Sequence, residues 1–530
     1  MLTSHMWLLL ASIACCAEAW VAPASRLRRR VALGSADLET SETSRGAEVA
    51  VGDVEEVDAV VVGCGPAGLA AAIELRRCGY ERVVAIERRR SRDEFEAQKA
   101  YLYLVDGRGQ RWTRSHDGLT ESIEAAGVGN AGYTITRVYP DARGLESSEP
   151  VLARPSTACA VWIPRASLLR TLADEAERAG AELLYGAAVE GLRRGARGGG
   201  VRVSVAGGPT YATKLLVGAD GARSRVRDFL RRQSRRPGLY EPVVLESPSG
   251  GLRYKMLTVA SDFGVTDLAT GEKRRTTPTS AYTLPSLSTK RRERIRLGLL
   301  PSRDPKLPRS ANVIKPEGHS VWDATTGRAI RDVLAREFPQ LEYAALDQGS
   351  LDAFAAATPG RFPHPQFTRK VAATLPGGGD VFLVGDSAHA FPPDLGQGVN
   401  SALEDVLELG AALRATRRPT WRYQASRAPA AEALARLVRV GFPYQYDQSV
   451  VRSKLFLLGL GLRVGLSALA KKALPPAVAK RVAPEPIAFQ VLDGEAYEVI
   501  HRRVARANVA SSLAVVGAGA LVLRRCLTAI

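Results

Sequence analysis

Three glycines and one carboxylate near the start of the chain are spaced for binding a dinucleotide. Gly63, Gly65 and Gly68 follow the β-branched run Val57–Val62, and Glu87 ends the next apolar run. Gly63 suits a tight turn, Gly65 lets the backbone approach a pyrophosphate, and Gly68 permits close packing of a helix on a strand. The helix N-terminus attracts phosphate, and a carboxylate at Glu87 can accept hydrogen bonds from a ribose.

Two further glycine-aspartate pairs lie far downstream, each directly after an apolar strand. Asp220-Gly221 follows the run Leu215–Val217, and Gly385-Asp386 follows Val381–Val384. An aspartate in this position can accept from a polyol hydroxyl, while the next helix N-terminus supplies donors. The first motif alone fits NAD or FAD, and the two late motifs favour FAD.

The three motifs, in this order and spacing, resemble those of the class A flavoprotein aromatic hydroxylases, which are single-component FAD monooxygenases. The stretches AYLYLVDGRG, LRYKMLTV and GDSAHAFPPDLGQGVNSALED are most similar to kynurenine 3-monooxygenase and its relatives. The resemblance implies FAD as cofactor, NAD(P)H as a transient co-substrate, and O₂. The implied reaction is hydroxylation or epoxidation of an aromatic or apolar small molecule.

The same resemblance assigns the cofactor site to residues that are spread along the chain. It implies that the first motif binds the ADP half of FAD and that the loop at 392–398 holds the edge of the isoalloxazine ring. A helix that starts near Val399 would direct its positive end at the flavin. The implied cofactor residues are Gly63, Gly65, Pro66, Ala67, Gly68, Glu87, Arg165, Asp220, Gly221, Gly385, Asp386, Pro393, Gly396, Gly398 and Val399.

Three residues are implied on the substrate side of the flavin, namely Asn400, Arg137 and Tyr446. A second tyrosine that the family uses on the substrate carboxylate has no counterpart. Another aromatic or an isoprenoid-like substrate therefore stays open beside kynurenine. His389 is interpreted as a structural or cofactor-packing residue. Two other functions are kept as alternatives, a flavin-dependent reductase of polyprenyl chains and a non-catalytic FAD-binding protein.

Composition limits the partners. The 530 residues are 45% apolar and 24% charged, which excludes a disordered chain and a polytopic membrane protein. The net charge of +18 comes from basic runs without interleaved aromatics. Solvated surface is the simplest interpretation of these runs, attraction to an anionic membrane surface or a phosphate-bearing cofactor comes next, and nucleic acid is disfavoured. Six cysteines occur without C-x-x-C spacing, so no metal site is expected.

The predicted fold class is α/β: a Rossmann-like, three-layer FAD-binding domain, an inserted, mostly antiparallel β-sheet substrate domain, and a C-terminal helical region. The FAD-binding domain is expected at 57–240, interleaved with substrate-domain segments, and again at 371–420, with the substrate sheet at 241–370. Residues 421–530 are expected to be helical. Within them the apolar segment 509–523 fits a buried helix or a membrane-associated one, and the resemblance favours anchoring. Residues 454–472 are interpreted as a pocket or interface helix.

The N-terminus reads as targeting sequence. Residues 1–19 have the pattern of a signal peptide, and residues 20–50 have the basic, hydroxylated composition of a transit peptide. Together they resemble the bipartite presequence of plastids enclosed by extra membranes. The sequence therefore predicts a plastid location, with simple secretion as the alternative.

Overall fold

The computed structural model describes residues 54–506, apart from residues 133, 150–153, 196–198, 291–292, 344–345, 416 and 447. The predicted presequence, residues 1–50, and the segment 509–523 lie outside the described residues, so the presequence, plastid delivery and a terminal membrane segment stay predictions. The described residues fall into two units. One contains residues 55–453 and 485–501, and the other contains residues 54, 454–484 and 502–506.

Strands and helices are numbered separately in chain order. The strands are β1 Val54–Glu56, β2 Ala59–Val62, β3 Val83–Ile86, β4 Leu102–Val105, β5 Val128–Gly129, β6 Ile135–Val138, β7 Leu145–Ser148, β8 Val161–Pro164, β9 Glu182–Leu184, β10 Val189–Arg194, β11 Val201–Val205, β12 Thr210–Thr213, β13 Leu215–Gly218, β14 Val243–Val244, β15 Arg253–Val259, β16 Gly264–Thr266, β17 Lys273–Arg275, β18 Ala281–Pro285, β19 Arg296–Leu299, β20 Arg309–Lys315, β21 Gly360–Arg361, β22 Gln366–Phe367, β23 Ala372–Thr374, β24 Asp380–Leu383 and β25 His389–Ala390. The helices are α1 Pro66–Arg77, α2 Gly109–Thr113, α3 Leu119–Ala126, α4 Arg165–Arg178, α5 Arg225–Gln233, α6 Gly327–Glu337, α7 Gln348–Ala356, α8 Gly398–Ala415, α9 Pro419–Gly441, α10 Val450–Ala473, α11 Pro476–Val482 and α12 Ile487–Leu492.

A six-stranded sheet carries the three glycine motifs. Its order is β23-β24-β13-β2-β3-β9, and all neighbours are parallel except β23 and β24. Strands β2, β3 and β13 are buried along their whole length, as their β-branched and leucine-rich composition predicts for a parallel sheet covered on both faces. The carboxyl ends of β2, β13 and β24 meet at one edge, and this brings the three motifs together.

A seven-stranded sheet forms the second layer of strands. Its order is β21-β15-β20-β19-β18-β6-β7, and its pairs are antiparallel except for β18 and β6. Helices α6 and α7 pack on this sheet through buried residues that include Leu334 and Phe354. Strands β6 and β7 come from the earlier part of the chain, where the sequence predicts interleaved segments. The predicted fold class is confirmed.

Helix α10 differs from the other helices by its apolar surface. Among the described residues, it is the one helix that is long and apolar enough to cross a membrane, with a mean hydropathy of 1.4 over its most apolar window. Ser467 is its one buried residue, while Leu458 and Leu469 are 66% and 65% exposed. Of the two predicted alternatives for residues 454–472, this exposure favours an interface helix over a pocket helix, because a pocket helix would bury one apolar face.

Candidate functional site

The turn between β2 and α1 depends on three glycines, each for its own steric reason. Gly63 has φ +99°, and a Cβ there would lie 2.5 Å from the carbonyl oxygen of Ala219. A Cβ at Gly68 would overlap the carbonyl oxygen of Gly63, whereas a Cβ at Gly65 would meet no atom within 4 Å. At Gly63 and Gly68, the first and third glycines, backbone therefore packs directly against backbone. The second leaves room for a group that approaches the start of α1.

Glu87 braces this turn from the end of β3. Its Oε2 accepts from the Cys64 N–H at 2.8 Å, and its Oε1 accepts from the Arg89 N–H at 2.9 Å. The side chain is held in place by these two bonds, and each carboxylate oxygen keeps a second lone pair for a ligand hydroxyl. This geometry suits the ribose contact that the sequence predicts.

Asp220 uses one carboxylate oxygen and leaves the other unused. Its Oδ2 accepts from the N–H groups of Arg225 and Val226 at 2.6 and 3.2 Å, at the start of α5. Its Oδ1 is buried and has no hydrogen-bond partner among the described residues. Burial raises the pKa of this carboxyl. Gly221, next in the chain, has φ +80° and open space at the position of a Cβ.

The third motif brings Asp386 to the same edge of the sheet. Gly385 has φ +59°, and a Cβ there would lie 3.0 Å from the Cβ of Ala67 near the start of α1. The Gly385 N–H donates to Asp405 Oδ2 at 2.8 Å. The Asp386 side chain is accessible, but it lies in a recess where the surrounding protein atoms raise the pKa of its carboxyl. Asp386 is therefore an acceptor that a ligand in this recess can reach.

The loop after Asp386 ends in the helix that the sequence predicts. Pro393–Leu395 forms a single 3₁₀ turn, and Gly396 then adopts a left-handed conformation with φ +63°. Helix α8 begins at Gly398, within one residue of the predicted start. Gly396 and Gly398 are exposed, and a Cβ at either position would meet no atom within 4 Å, so a ligand can approach the backbone at the helix start.

A cluster of buried charged side chains lies beneath the surface of this loop and supports it. Arg427 donates to Asp405 Oδ1 at 2.7 Å and to Glu404 Oε2 at 2.9 Å. His389 Nε2 lies 2.8 Å from Asp405 Oδ2. Burial alone would raise the pKa of Asp405, but His389 and Arg427 lower it below its usual value. His389 is thus held by a carboxylate under the loop, in keeping with its interpretation as a structural residue.

Arg165 lies at the start of α4, beside two tyrosines. Its guanidinium is 3.0 Å from Glu96 Oε2, and the pKa values of Tyr101 and Tyr103 are raised by burial and affected by the charges of both Arg165 and Asp386. The Arg165 N–H also donates to the Tyr101 carbonyl at 3.0 Å, which places Arg165 beside this pair of tyrosines. An arginine at this point can face a cofactor while Glu96 balances its charge.

An aromatic group extends from these tyrosines. We define it as Tyr101, Tyr103, Tyr254, Phe362 and Tyr446. The rings of Tyr101 and Tyr103 meet edge to face at 5.4 Å, Tyr254 and Phe362 are 5.2 Å apart, and Phe362 and Tyr446 are 5.6 Å apart. Burial raises the pKa of Tyr446 well above its usual value, so its hydroxyl stays a donor. Tyr446 is therefore suited to the predicted substrate side.

The other two residues predicted on the substrate side have different surroundings. Asn400 is fully buried, and its amide bonds the N–H of Asp106 and the carbonyl groups of Leu104 and Gly396. This favours a positioning role over a substrate contact. Arg137 lies on β6, is 43% exposed and is 3.9 Å from Glu146, which does not favour the binding of a substrate carboxylate in a closed pocket.

Several residues that shape the site are not predicted by the sequence motifs. They are Asp106, Arg108, Gln397, Tyr497 and Arg427. One signal was present for Arg427, a cation inside the alanine-rich run SRAPAAEALARL, where an apolar face requires a buried partner for a charge. The others depend on contacts between segments that are hundreds of residues apart, and no local pattern reveals such contacts.

The residues at this edge fit FAD. An orphaned acceptor at Asp220 suits a ligand hydroxyl or amide, and open positions at Gly65, Gly221, Gly396 and Gly398 suit the close approach of phosphate and of a flat ring. Glu87 and Asp386 provide acceptors at the places where a ribose and a ribitol would lie. The donors and acceptors thus follow the length of the cofactor from its adenosine end to its ring.

Known proteins are similar to this chain in sequence and in fold. Rifampicin monooxygenase of Streptomyces venezuelae is 29% identical over 360 residues, which cover 68% of this chain and 64% of that enzyme. Kynurenine 3-monooxygenase of Salinispora arenicola is 28% identical over 438 residues, which cover 78% of this chain and 85% of that enzyme. A variant of HpxO from Klebsiella pneumoniae complexed with FAD has the same fold, with a TM-score of 0.51, 19% identity, and coverage of 86% of this chain and 98% of that one.

The match to a family model is more extensive than any single motif. The model described as FAD binding domain matches residues 56–241 and 315–438, which is more than half of the chain. The gap between the two matched parts holds most of the seven-stranded sheet. The predicted cofactor, FAD, is confirmed, and the chain belongs to the FAD binding domain family.

Proposed function

We propose that the chain is a monooxygenase that uses NAD(P)H and O₂ to hydroxylate a small aromatic molecule, in the manner of kynurenine 3-monooxygenase. The proposal rests on the presence of two features in the described structure, an accessible helix start at Gly398 and the aromatic group. FAD, when bound, supplies the redox chemistry between NAD(P)H and O₂. The chain spans 64% of the rifampicin monooxygenase that it matches, and support for the activity comes from both kinds of relative.

The start of α8 gives the flavin end of the site its electrostatic character. The helix runs from Gly398 to Ala415, and its aligned peptide dipoles place partial positive charge at the first turn. Because these donors are fixed by the buried charges beneath them, they can stabilise negative charge on a bound ring without reorganising. This is the task required of a loop that holds a flavin through its reduced state.

The aromatic group gives the substrate end its selectivity. Tyr101 and Tyr103 form one ring pair, and Tyr254, Phe362 and Tyr446 form a second set of contacting rings. Burial raises the pKa values of Tyr101, Tyr254 and Tyr446, so their hydroxyl groups are hydrogen-bond donors. Flat rings pack well against such aromatic side chains through edge and face contacts. A planar aromatic substrate is therefore favoured over a flexible isoprenoid chain.

The experiment is a substrate screen on the purified, FAD-loaded chain. Candidate aromatic compounds and isoprenoids are tested for stimulation of NAD(P)H oxidation, and oxygen uptake and transfer of labelled O₂ into product are measured with each active compound. Incorporation of one oxygen atom into an aromatic ring supports the proposal. Turnover without O₂ would instead identify a reductase, and FAD binding without stimulation by any compound would identify a non-catalytic protein.

We further propose that α10 associates with an anionic membrane surface. Residues 450–484 contain seven cations, Arg452, Lys454, Arg463, Lys471, Lys472, Lys480 and Arg481, and no acidic residue. Exposed leucines on α10 supply apolar area, and basic residues near anionic lipid each contribute about 1 kcal/mol. Arg463 lies near the middle of the helix, where a membrane span would place it at the costly bilayer centre, so a helix in the plane of the interface is favoured.

We expect the full-length chain to co-sediment with vesicles that contain phosphatidylserine and to bind poorly to phosphatidylcholine alone. The double variant Lys471→Glu/Lys472→Glu should weaken this binding at least about tenfold, because it replaces two attractions by repulsions. The matched control is Arg231→Glu/Arg232→Glu, which changes the net charge equally at exposed positions on α5. An equal loss in both variants would mean that overall charge, and not α10, governs binding.

A further inference from the structure

A chain of buried hydrogen bonds joins the C-terminal part of the molecule to the loop before α8. The hydroxyl of Tyr497 donates to Gln397 Oε1 at 2.7 Å. The amide of Gln397 donates in turn to Asp106 Oδ2 at 2.8 Å. Tyr497, Gln397 and Asp106 are all at least 97% buried, so water cannot replace these partners without opening the structure.

The far end of this series of hydrogen bonds fixes the first turn of α8. Asn400 Oδ1 accepts from the Asp106 N–H at 3.0 Å, and its amide nitrogen donates to the carbonyl groups of Leu104 and Gly396 at 2.8 and 3.1 Å. Asp106 Oδ1 also accepts from the Arg108 N–H at 2.9 Å. The position of Gly396 and of the helix start thus depends on the Leu104 carbonyl of β4, on Asp106 in the loop after it, and, through Gln397, on Tyr497.

Arg108 holds the C-terminal segment in place. Its guanidinium carbon lies 3.8 Å from the centre of the Tyr497 ring, and it donates to the carbonyl of Glu495. It also bonds Glu404 on α8 at 3.0 Å. The cation is itself buried, and a buried guanidinium on an aromatic face contributes more than an exposed one. Residues 495–497 are therefore clamped against the same helix whose start their tyrosine supports.

Tyr497 lies outside the part of the chain that defines the family. The family model ends at residue 438, almost sixty positions before it, yet the hydroxyl of Tyr497 contacts a residue of the loop at 392–398. Packing alone does not require this contact, since phenylalanine would fill the same volume. The hydroxyl provides direction, because it orients the Gln397 amide, and that amide must present its nitrogen to Asp106.

We propose that Tyr497 is a positioning residue for FAD, acting through Gln397 and Asp106 on residues 396–400, so that the C-terminal segment 485–501 completes the FAD site. This inference rests on the proposed placement of the flavin ring at that loop. A merely structural role would lower the stability of the protein and leave FAD binding unchanged. A positioning role changes how tightly FAD is held and the environment of its ring.

The test is Tyr497→Phe in the full-length chain. The apoprotein is titrated with FAD, and binding is followed by flavin fluorescence and by the visible absorption band of the bound ring. We expect the Kd for FAD to rise about fivefold, the loss of one buried hydrogen bond, and the band to shift. Tyr343→Phe is the matched control, because the hydroxyl of Tyr343 donates to the carbonyl groups of Leu334 and Phe338 at α6, away from the loop. It should leave both readouts unchanged.

A double variant tests the route. If Tyr497 acts through Gln397, adding Tyr497→Phe to Gln397→Met should change the FAD affinity no further. Should Tyr497→Phe fail to fold, Gln397→Met alone should show the same loss and the same shift. The inference is overturned if Tyr497→Phe binds FAD like the parent, if the two effects add independently, or if Tyr343→Phe has an equal effect. FAD binding by the parent without any substrate-stimulated NAD(P)H oxidation would overturn the proposed reaction and leave this inference standing.

Discussion

Replacing Gly65 by valine should abolish FAD binding while leaving the chain folded. The position has open space in the structure, since a Cβ there would meet no atom within 4 Å, so the branched side chain causes no clash within the protein. It would, however, occupy the space that a pyrophosphate needs at the start of α1. The purified variant should be colourless, and its FAD content after dialysis should be near zero while its circular dichroism matches that of the parent.

Gly68→Val is the informative companion to this variant. A Cβ at Gly68 would overlap the carbonyl oxygen of Gly63, so this variant should lose the close packing of α1 on the sheet and unfold at a lower temperature. The two substitutions thus separate loss of cofactor from loss of fold. Stoichiometric flavin in the Gly65→Val protein would show that the pyrophosphate does not lie at this turn.

Arg427→Met should destabilise the fold by about 3 kcal/mol, because it removes a buried cation that Glu404 and Asp405 share and leaves Asp405 with His389 and Glu404 with Arg108 as partners. Arg427 is 4% exposed and bonds both Glu404 and Asp405. Arg436→Met on the same helix is the control, since Arg436 pairs with Glu432 at 2.8 Å where both side chains are at least 40% exposed. Such a surface pair contributes about 0.2–1 kcal/mol. Urea unfolding of both variants measures the difference.

The same pair of carboxylates sets the response of the parent to acid. Burial would raise the pKa values of Glu404 and Asp405, but the neighbouring cations lower both. A carboxylate whose folded-state pKa is lowered stabilises the fold above its unfolded-state pKa, about 4, and this contribution is lost as the pH falls through the lowered value. The parent should therefore lose stability steeply in acid. Arg427→Met should show a flatter dependence, and equal slopes would argue against the cluster as the source.

Much of the cofactor site could be predicted from the sequence because its determinants are local. A turn between a strand and a helix needs glycine at Gly63 and Gly68 for steric reasons that act within a few residues, and an apolar run followed by Gly385-Asp386 marks a strand end. The glycines before α8 predict its start to within one residue. The family resemblance then assigns these separate motifs to one cofactor site.

The remaining features could not be predicted because they depend on long-range pairing. The resemblance implies Asn400 on the substrate side, yet its amide bonds backbone groups of Leu104 on β4 and of Asp106 just after it, almost 300 positions away. Arg137 matches a family position, but only the pairing of β6 with β7 puts Glu146 opposite it. The exposure of α10 also escapes prediction, because an apolar helix has the same composition whether it is covered or bare.

The strand order of the six-stranded sheet has a consequence for biosynthesis. Strand β13 lies between β2 and β24, with Leu215 beside both Ala59 and Asp380, so the cofactor edge joins residues that leave the ribosome about 300 positions apart. Translation proceeds at about 5–20 residues per second, so the partner strands of the first glycine turn are synthesised on the order of 15–60 s after it. During that time the nascent chain exposes apolar strands with unpaired edges, and FAD has only part of its binding surface. We therefore expect the yield of soluble protein to depend on chaperones during translation and on FAD supply only after release.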